Sequence, residues 1–453
     1  MDLIRALLSV WTSARSVLLT FWRRLIYGIK VIDVERGADQ FPPAPKAIRE
    51  AADAFLESLQ TDAIEALASR YNDGKPCRVF FRLHGSFNVC YFVVFEEGPS
   101  WTVRIPITPR LYRPWDKILS EVATLRYIRS QTSIPVPVVC AFGDDATLTD
   151  DKTQHQSFLI SEFVGGTPLY SDRLADADDA ARKRFFLQLF DYLAQLRSLE
   201  FQQLGSLMPA TTASPSVGNL MSFSTNSFRL QLPSFTTAKD YILSQFDILQ
   251  RQATIPIADY SETDSRYELF ALHTVKTSFD EFASDVDAST DEPFVLNHAD
   301  LHLANILVDE DLNILGIIDW EFANIVPLRL FMPPLWAIYQ APGLEKLTNL
   351  FVPELQAASL QDVRFERLYQ EWYGKPGFGE LCYLARLIRH PSDITQVFAD
   401  YFEKKRPGDN LEKAESTFFA DNPEMAIKAR EIAEKNIIWT QHLKDSGMYE
   451  SDK

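Results

Sequence analysis

Between Val295 and Glu321 the chain reads VLNHADLHLANILVDEDLNILGIIDWE, and this stretch constrains the fold more than any other. It orders His298, Asp300 and Asn305 as H-x-D-x-x-x-x-N, with Asp319 on the far side of two short apolar runs. Ile306 to Val308 reads as a strand, Asp309 to Asn313 as a polar turn, and Ile314 to Ile318 as the returning strand. A hairpin brings its open ends together, so Asn305 and Asp319 are expected side by side, with Asp300 on the loop just before them. Three oxygen-bearing side chains at one point suit Mg²⁺ with a nucleotide, because Mg²⁺ takes one or two carboxylates plus phosphate oxygens and water. A further carboxylate is then free to orient a hydroxyl nucleophile.

Alone, the hairpin also reads as a buried structural element with acidic flanks, and His298 as a core histidine. The first third of the chain tips the balance. Cys77 to Leu83 and Val89 to Phe95 read as strands joined by the turn His84–Asn88, and Trp101 to Ile105 as a third strand. A tight turn at Gly85 and Ser86 lets backbone N–H groups approach nucleotide phosphates. Thr102 and Arg104 are expected on one face of the third strand, Trp101 and Val103 on the other. A helical stretch from Trp115 to Ser130 follows and carries Glu121. Ser157 to Phe163 reads as an apolar strand ending in Gly165, Gly166 and Pro168.

Together these segments resemble the kinase-like phosphotransferases. The return strand ending Ile-Asp-Trp-Glu is similar to the aminoglycoside phosphotransferase/choline kinase family, and the overall layout to its fungal members without an assigned substrate. The resemblance runs from about residue 60 to about residue 440. It implies an α+β, protein-kinase-like bilobal fold, with a small antiparallel-sheet N-lobe and a larger, mainly helical C-lobe. On that pattern residues 1–40 are an N-terminal extension, 41–165 the nucleotide-binding lobe and 166–453 the helical lobe. The implied activity is transfer of the γ-phosphate of ATP or GTP, with Mg²⁺, to a hydroxyl of a small molecule.

The resemblance also assigns roles. Asn305 and Asp319 hold the metal, Asp300 is the base or orienter, and His298 buttresses the catalytic loop. Gly85 and Ser86 approach the phosphates, and Arg104, paired with Glu121, contacts them. The main chain from Ser161 to Phe163 forms an edge that reads the nucleobase. Glu321 is a candidate second metal ligand or ammonium contact, and Trp320 either a face for a quaternary amine or a core residue. Two departures from the family pattern, Arg104 where a lysine is usual and a single loop glycine, keep a second reading open: a pseudokinase or nucleotide-binding scaffold.

Composition narrows the partners. Net charge is −17, and the body of the chain carries no basic, aromatic-interleaved patch, which excludes nucleic acid. The acidic balance favours a cationic small molecule. Cys77, Cys90, Cys140 and Cys382 show no C-x-x-C or metal-ligand spacing and read as free thiols of an intracellular, cytoplasmic protein. The N-terminus breaks the acidic trend. From Leu3 to Lys30 there is no acid and there are five basic residues, with Leu3, Leu7, Leu18, Phe21 and Leu25 at helical spacing. Three readings fit this segment: a helix docked on the body, a peripheral membrane contact through residues 1–32, or a mitochondrial presequence. Further on, helices are expected over 176–200, 238–252, 267–282 and 423–443, and the Ser/Thr/Pro-rich run 209–237 is expected as an extended loop.

Overall fold

The structure is a computed structural model that describes residues 41–210, 214–288, 292–338, 345–405 and 410–451. The amphipathic segment expected within residues 1–32 lies outside the described residues. Among those described, no helix is long and apolar enough to cross a membrane.

Five strands form one antiparallel sheet: β1 (Cys77–His84), β2 (Asn88–Phe95), β3 (Trp101–Pro106), β4 (Val139–Ala146) and β5 (Gln156–Glu162). Their order is β1-β2-β3-β5-β4. Alternation builds them. Val89, Tyr91, Val93 and Phe95 of β2 are buried and their intervening neighbours less so. With Trp101, Val103 and Ile105 of β3 and Phe158 and Ile160 of β5, they form a small core with helices α1 (Pro45–Ser58) and α2 (Thr61–Tyr71). Thr102 and Arg104 occupy the other face of β3, as the two-residue period requires. Strand β1 lies at the sheet's rim. It carries a bulge between Val79 and Phe81, and the Val79 amide donates to Glu65 Oε1 of α2 at 2.7 Å.

Strand β5 is not the edge that its sequence suggested, because it pairs with β3 on one side and β4 on the other. Helix α3 (Pro114–Gln131) packs Ile118, Val122, Leu125 and Ile128 into the larger core while burying two charges, Lys117 and Glu121.

The larger, mainly helical part starts beyond β5. Asp178 caps α4 (Asp179–Arg197), accepting from the Ala181 amide, and so starts the helix later than periodicity alone predicted. Phe185, Phe186, Leu189, Leu193 and Leu196 fill the core beneath it. The Ser/Thr-rich run is not the extended loop expected. It contains the strand Ser216–Gly218 and the short helix α5 (Phe223–Ser227), whose N-terminus is a capping box between Ser222 and Thr225. Helices α6 (Ala238–Gln252) and α7 (Glu262–Ala288) follow.

Two small three-stranded sheets then carry the catalytic segment. In one, β6 (Phe294–Asn297) lies between Glu200–Phe201 and β9 (Asn324–Pro327); in the other, β7 (Ile306–Val308) lies between Thr167–Pro168 and β8 (Ile314–Ile317). Gly166 sits at φ +95° against this second sheet, where a Cβ would meet Val308 O at 2.8 Å. Helices α8 (Phe378–Arg389) and α9 (Pro423–Asp445) complete the elements needed below. Small antiparallel sheet above and helices below make this an α+β, protein-kinase-like bilobal fold.

Candidate active site

Register sets the geometry. Ile306 faces Ile317 and Leu307 faces Gly316, and the Ile318 amide donates to Asn305 O at 2.9 Å. Asn305 and Asp319 therefore flank the open end of the hairpin. Asp319 holds φ at +65°, a conformation uncommon for any residue but glycine. Asn305 Nδ2 donates to Asp300 O at 2.8 Å, so its Oδ1 is the group left for a ligand.

His298 braces this arrangement. Its Nδ1 accepts from the Asp300 amide at 3.1 Å, so Nε2 carries the proton and donates to Ile318 O at 3.0 Å. Burial lowers its pKa to about 4, which keeps the ring neutral, and the ring packs on Trp320 with centroids 4.4 Å apart. Trp320 is buried and its Nε1 donates to Ile317 O at 2.9 Å, so it is a core residue with no face for an amine.

This bears on stability. Between pH 6.5 and 4 the unfolded chain takes up a proton at His298 that the folded protein refuses. Stability is therefore expected to fall as pH drops from 6.5 towards 4. His390, also lowered to about 4 by burial, acts in the same direction. Tm measured against pH should be shallower for His298→Asn by about one proton's linkage. Parallel curves for the two proteins would exclude a neutral, buried imidazole.

Above the hairpin lies a buried charge cluster. Arg104 Nη1 meets Glu121 Oε1 at 2.6 Å, and Nη2 meets Asp319 Oδ1 at 3.2 Å and Glu321 Oε2 at 3.1 Å. Lys117, 2% exposed, pairs with Glu321, 5% exposed, and donates to Asn88 Oδ1 at 3.1 Å. Asn88 Nδ2 closes the triangle on Glu321 Oε2 at 2.7 Å. Glu321 is thus committed to Lys117, Arg104 and Asn88, not to a second metal position or a substrate ammonium. Burial would raise its carboxyl, but Lys117 and Arg104 outweigh that and hold it low. Asp319 goes the other way, pushed well above the ordinary carboxylate value by burial and then by Glu321.

Lys117 escaped the sequence reading, although its position one helical turn before Glu121 put both charges on one face. Arg110 escaped as well. Its Nη1 donates to Ser86 O at 3.2 Å and lies 3.5 Å from Gly85 O, which fixes the loop's carbonyls. The Gly85 amide closes the turn on Asn88 O at 2.8 Å. At the tip, Phe87 packs edge-on to Phe322, 5.3 Å between centroids, and against Phe223 of α5. At the hinge, the Phe163 amide donates to Ser100 O and the Glu162 amide to Val138 O, both at 2.9 Å, while Ser161 pairs with Thr102 and Val139. Those two amides are taken within the protein.

Asp300 has a partner that sequence could not supply. Arg389, at the end of α8, forms an ion pair with its Oδ1, and His302 Nε2 lies 3.6 Å from Oδ2. Burial would raise the carboxyl, but Arg389 and His302 bring it down to about 2. Cys77, Cys90, Cys140 and Cys382 form no disulfide among the described residues, and Cys140 is exposed.

The residues present fit Mg²⁺. Asp319 is a half-buried carboxylate crowded by Glu321, a position that a divalent cation relieves. Among the described residues no three His, Cys, Asp or Glu side chains converge as a metal cage. Two protein oxygens completed by phosphate and water are the usual Mg²⁺ arrangement.

A small antiparallel sheet over a helical lobe, with acidic residues at the mouth of a hairpin between them, defines a kinase-like phosphotransferase. The sequence profile of the phosphotransferase enzyme family matches residues 82–328, more than half of the chain, and the protein belongs to that family. It is similar to the clavilactone A biosynthesis cluster protein Y of Ampulloclitocybe clavipes, 26% identical over 230 residues, 49% of this chain and 54% of that protein. It also resembles altered inheritance of mitochondria protein 9 of Scheffersomyces stipitis, 29% identical over 120 residues, 25% of this chain and 18% of that one. The chain thus spans about half the length of the first relative and less than a fifth of the second. Among solved structures, the GDP complex of aminoglycoside 2'-phosphotransferase-IIIa is 15% identical, with 83% of this chain and 97% of that one covered and a TM-score of 0.42.

Proposed function

We propose that the protein moves the γ-phosphoryl group of a Mg²⁺-bound ATP or GTP to a hydroxyl of a small molecule. The observation that supports this is the hydrogen bonding that sets Asn305 beside Asp319 at the mouth of the hairpin and ties Asn305 to Asp300, with a neutral His298 bracing the loop and Arg104 paired with Asp319. The Mg²⁺-nucleotide, when bound, supplies the transferable phosphoryl group and a leaving diphosphate. Asn305 Oδ1 and the Asp319 carboxylate would hold the metal. Arg104 and the amides of Ser86 and Phe87, whose loop carbonyls Arg110 restrains, would face the phosphates. Because the Glu162 and Phe163 amides are engaged, nucleobase donors fall to the chain just beyond, Val164 and Gly165. Asp300 accepts a hydrogen bond from the acceptor hydroxyl and aims its oxygen at phosphorus. With Arg389 beside it, Asp300 is a weak proton acceptor and acts chiefly as an orienter.

Thermal-shift titrations with ATP and GTP, with and without Mg²⁺, on wild type and Asp319→Ala test this. At about 100 times Kd, binding adds roughly 2.7 kcal/mol, a rise of several degrees. A Mg²⁺-dependent rise absent from the variant is expected; no response to either nucleotide from folded protein would refute the proposal. A second reading, a nucleotide-binding scaffold without turnover, is favoured by one observation: Asp300 and Asp319 are each already paired with an arginine. Mg²⁺-dependent binding with no ADP or GDP release across a panel of hydroxyl compounds would select it.

A further inference from the structure

Beside the catalytic loop lies a cavity of about 120 Å³, open to solvent on one side. Ala299 and Leu301, the immediate neighbours of Asp300, form one wall, and Phe331, Pro334 and Ile388 contribute others. Apolar side chains cover most of the surface, and among the described residues no Asp or Glu lines it. Among the described residues the one Lys or Arg in its lining is Arg389, whose guanidinium pairs with Asp300 and lies over the Phe223 ring, Cζ to centroid 4.7 Å. Asn324 also lines the wall. It is 5% exposed, and its Oδ1 has no hydrogen-bond partner among the described residues.

We propose that this cavity receives the apolar body of a neutral, lipophilic alcohol and presents its hydroxyl to Asp300. This rests on the phosphotransfer reading and names the acceptor class. A volume of about 120 Å³ is on the order of the space that takes one benzene-sized apolar group, and such pockets bind through apolar burial while a few polar groups fix orientation. Asn324 Oδ1 is such a group, able to accept from a second donor on the ligand. A polycation or quaternary ammonium would find no carboxylate to pair with among the described residues of the wall, and the nearest one, Asp300, is already held by Arg389. The cationic acceptor suggested by net charge is therefore disfavoured here: the acidity belongs to the outer surface, not to this cavity.

Isothermal titration calorimetry of the full chain, without nucleotide, compares 1-octanol, choline and kanamycin. The expected result is octanol binding with Kd below about 1 mM and both cations at least about tenfold weaker. Ala385→Trp, which fills the cavity from α8, should weaken octanol by about tenfold or more. Tighter binding of either cation, no octanol binding, or equal octanol binding in a folded Ala385→Trp would overturn the proposal. If that variant does not fold, the comparison of the three ligands on wild type decides. Octanol binding without any nucleotide response would keep the cavity assignment and refute phosphotransfer. A nucleotide response without octanol binding would do the reverse.

Discussion

Asp300→Asn is expected to lower kcat by about three orders of magnitude while leaving the Mg²⁺-nucleotide thermal shift in place. The asparagine keeps an oxygen for Arg389 and keeps the backbone bonds to His298 and Asn305, so the loop stays assembled. What is lost is the anion that aligns the acceptor hydroxyl with phosphorus. Phosphoryl transfer depends largely on positioning and on charge placed where the transition state needs it. Turnover with the best acceptor from a hydroxyl screen, measured by ADP or GDP release, checks the prediction. Near-wild-type kcat would make Asp300 a structural partner of Arg389 and remove it from the chemistry.

Lys117→Met is expected to cost about 3–5 kcal/mol of stability, because it strands Glu321 without its closest cation in a buried site. For a chain of this size that corresponds to a fall in Tm of roughly 3–5 °C. Two partners limit the damage: Arg104 still reaches Glu321 at 3.1 Å and Asn88 at 2.7 Å. Adding Glu321→Gln to Lys117→Met should recover much of the loss, since the stranded charge disappears. A double variant no more stable than the single one would mean that packing of the lysine stem, not pairing, holds this corner. Differential scanning calorimetry on the three proteins separates the cases.

The parts of this protein written in local pattern were legible. β1, β2, β3 and the hairpin β7–β8 fall where alternation put them, and Arg104 meets Glu121 as the family resemblance implied. Three kinds of information were not local. Strand order is one: nothing within Gln156–Glu162 says that β4 would cover its far side, or that Val138 and Ser100 would take the amides offered to a nucleobase. Caps are another. Ser222 and Thr225 look like loop residues in composition, yet together they start a helix that delivers Phe223 to the site. Distance in sequence is the third. Arg389 lies 89 residues beyond Asp300, and no spacing rule connects them. Lys117 is different, because a lysine inside an apolar helix one turn from a paired glutamate carried a readable signal.

The rim of the upper sheet bears on how separate molecules behave when crowded. β1 sets the apolar run Val79–Phe81 between Arg78 and Arg82, and an apolar edge strand is a template for a strand from another copy that such flanking charges help to blunt. Its Val79 amide is already occupied by Glu65, and the bulge that follows breaks the register an incoming strand would need. Acid on α2 and an extra residue in β1 thus make this edge a poor template for a strand of a second molecule, a guard unrelated to the chemistry of the site.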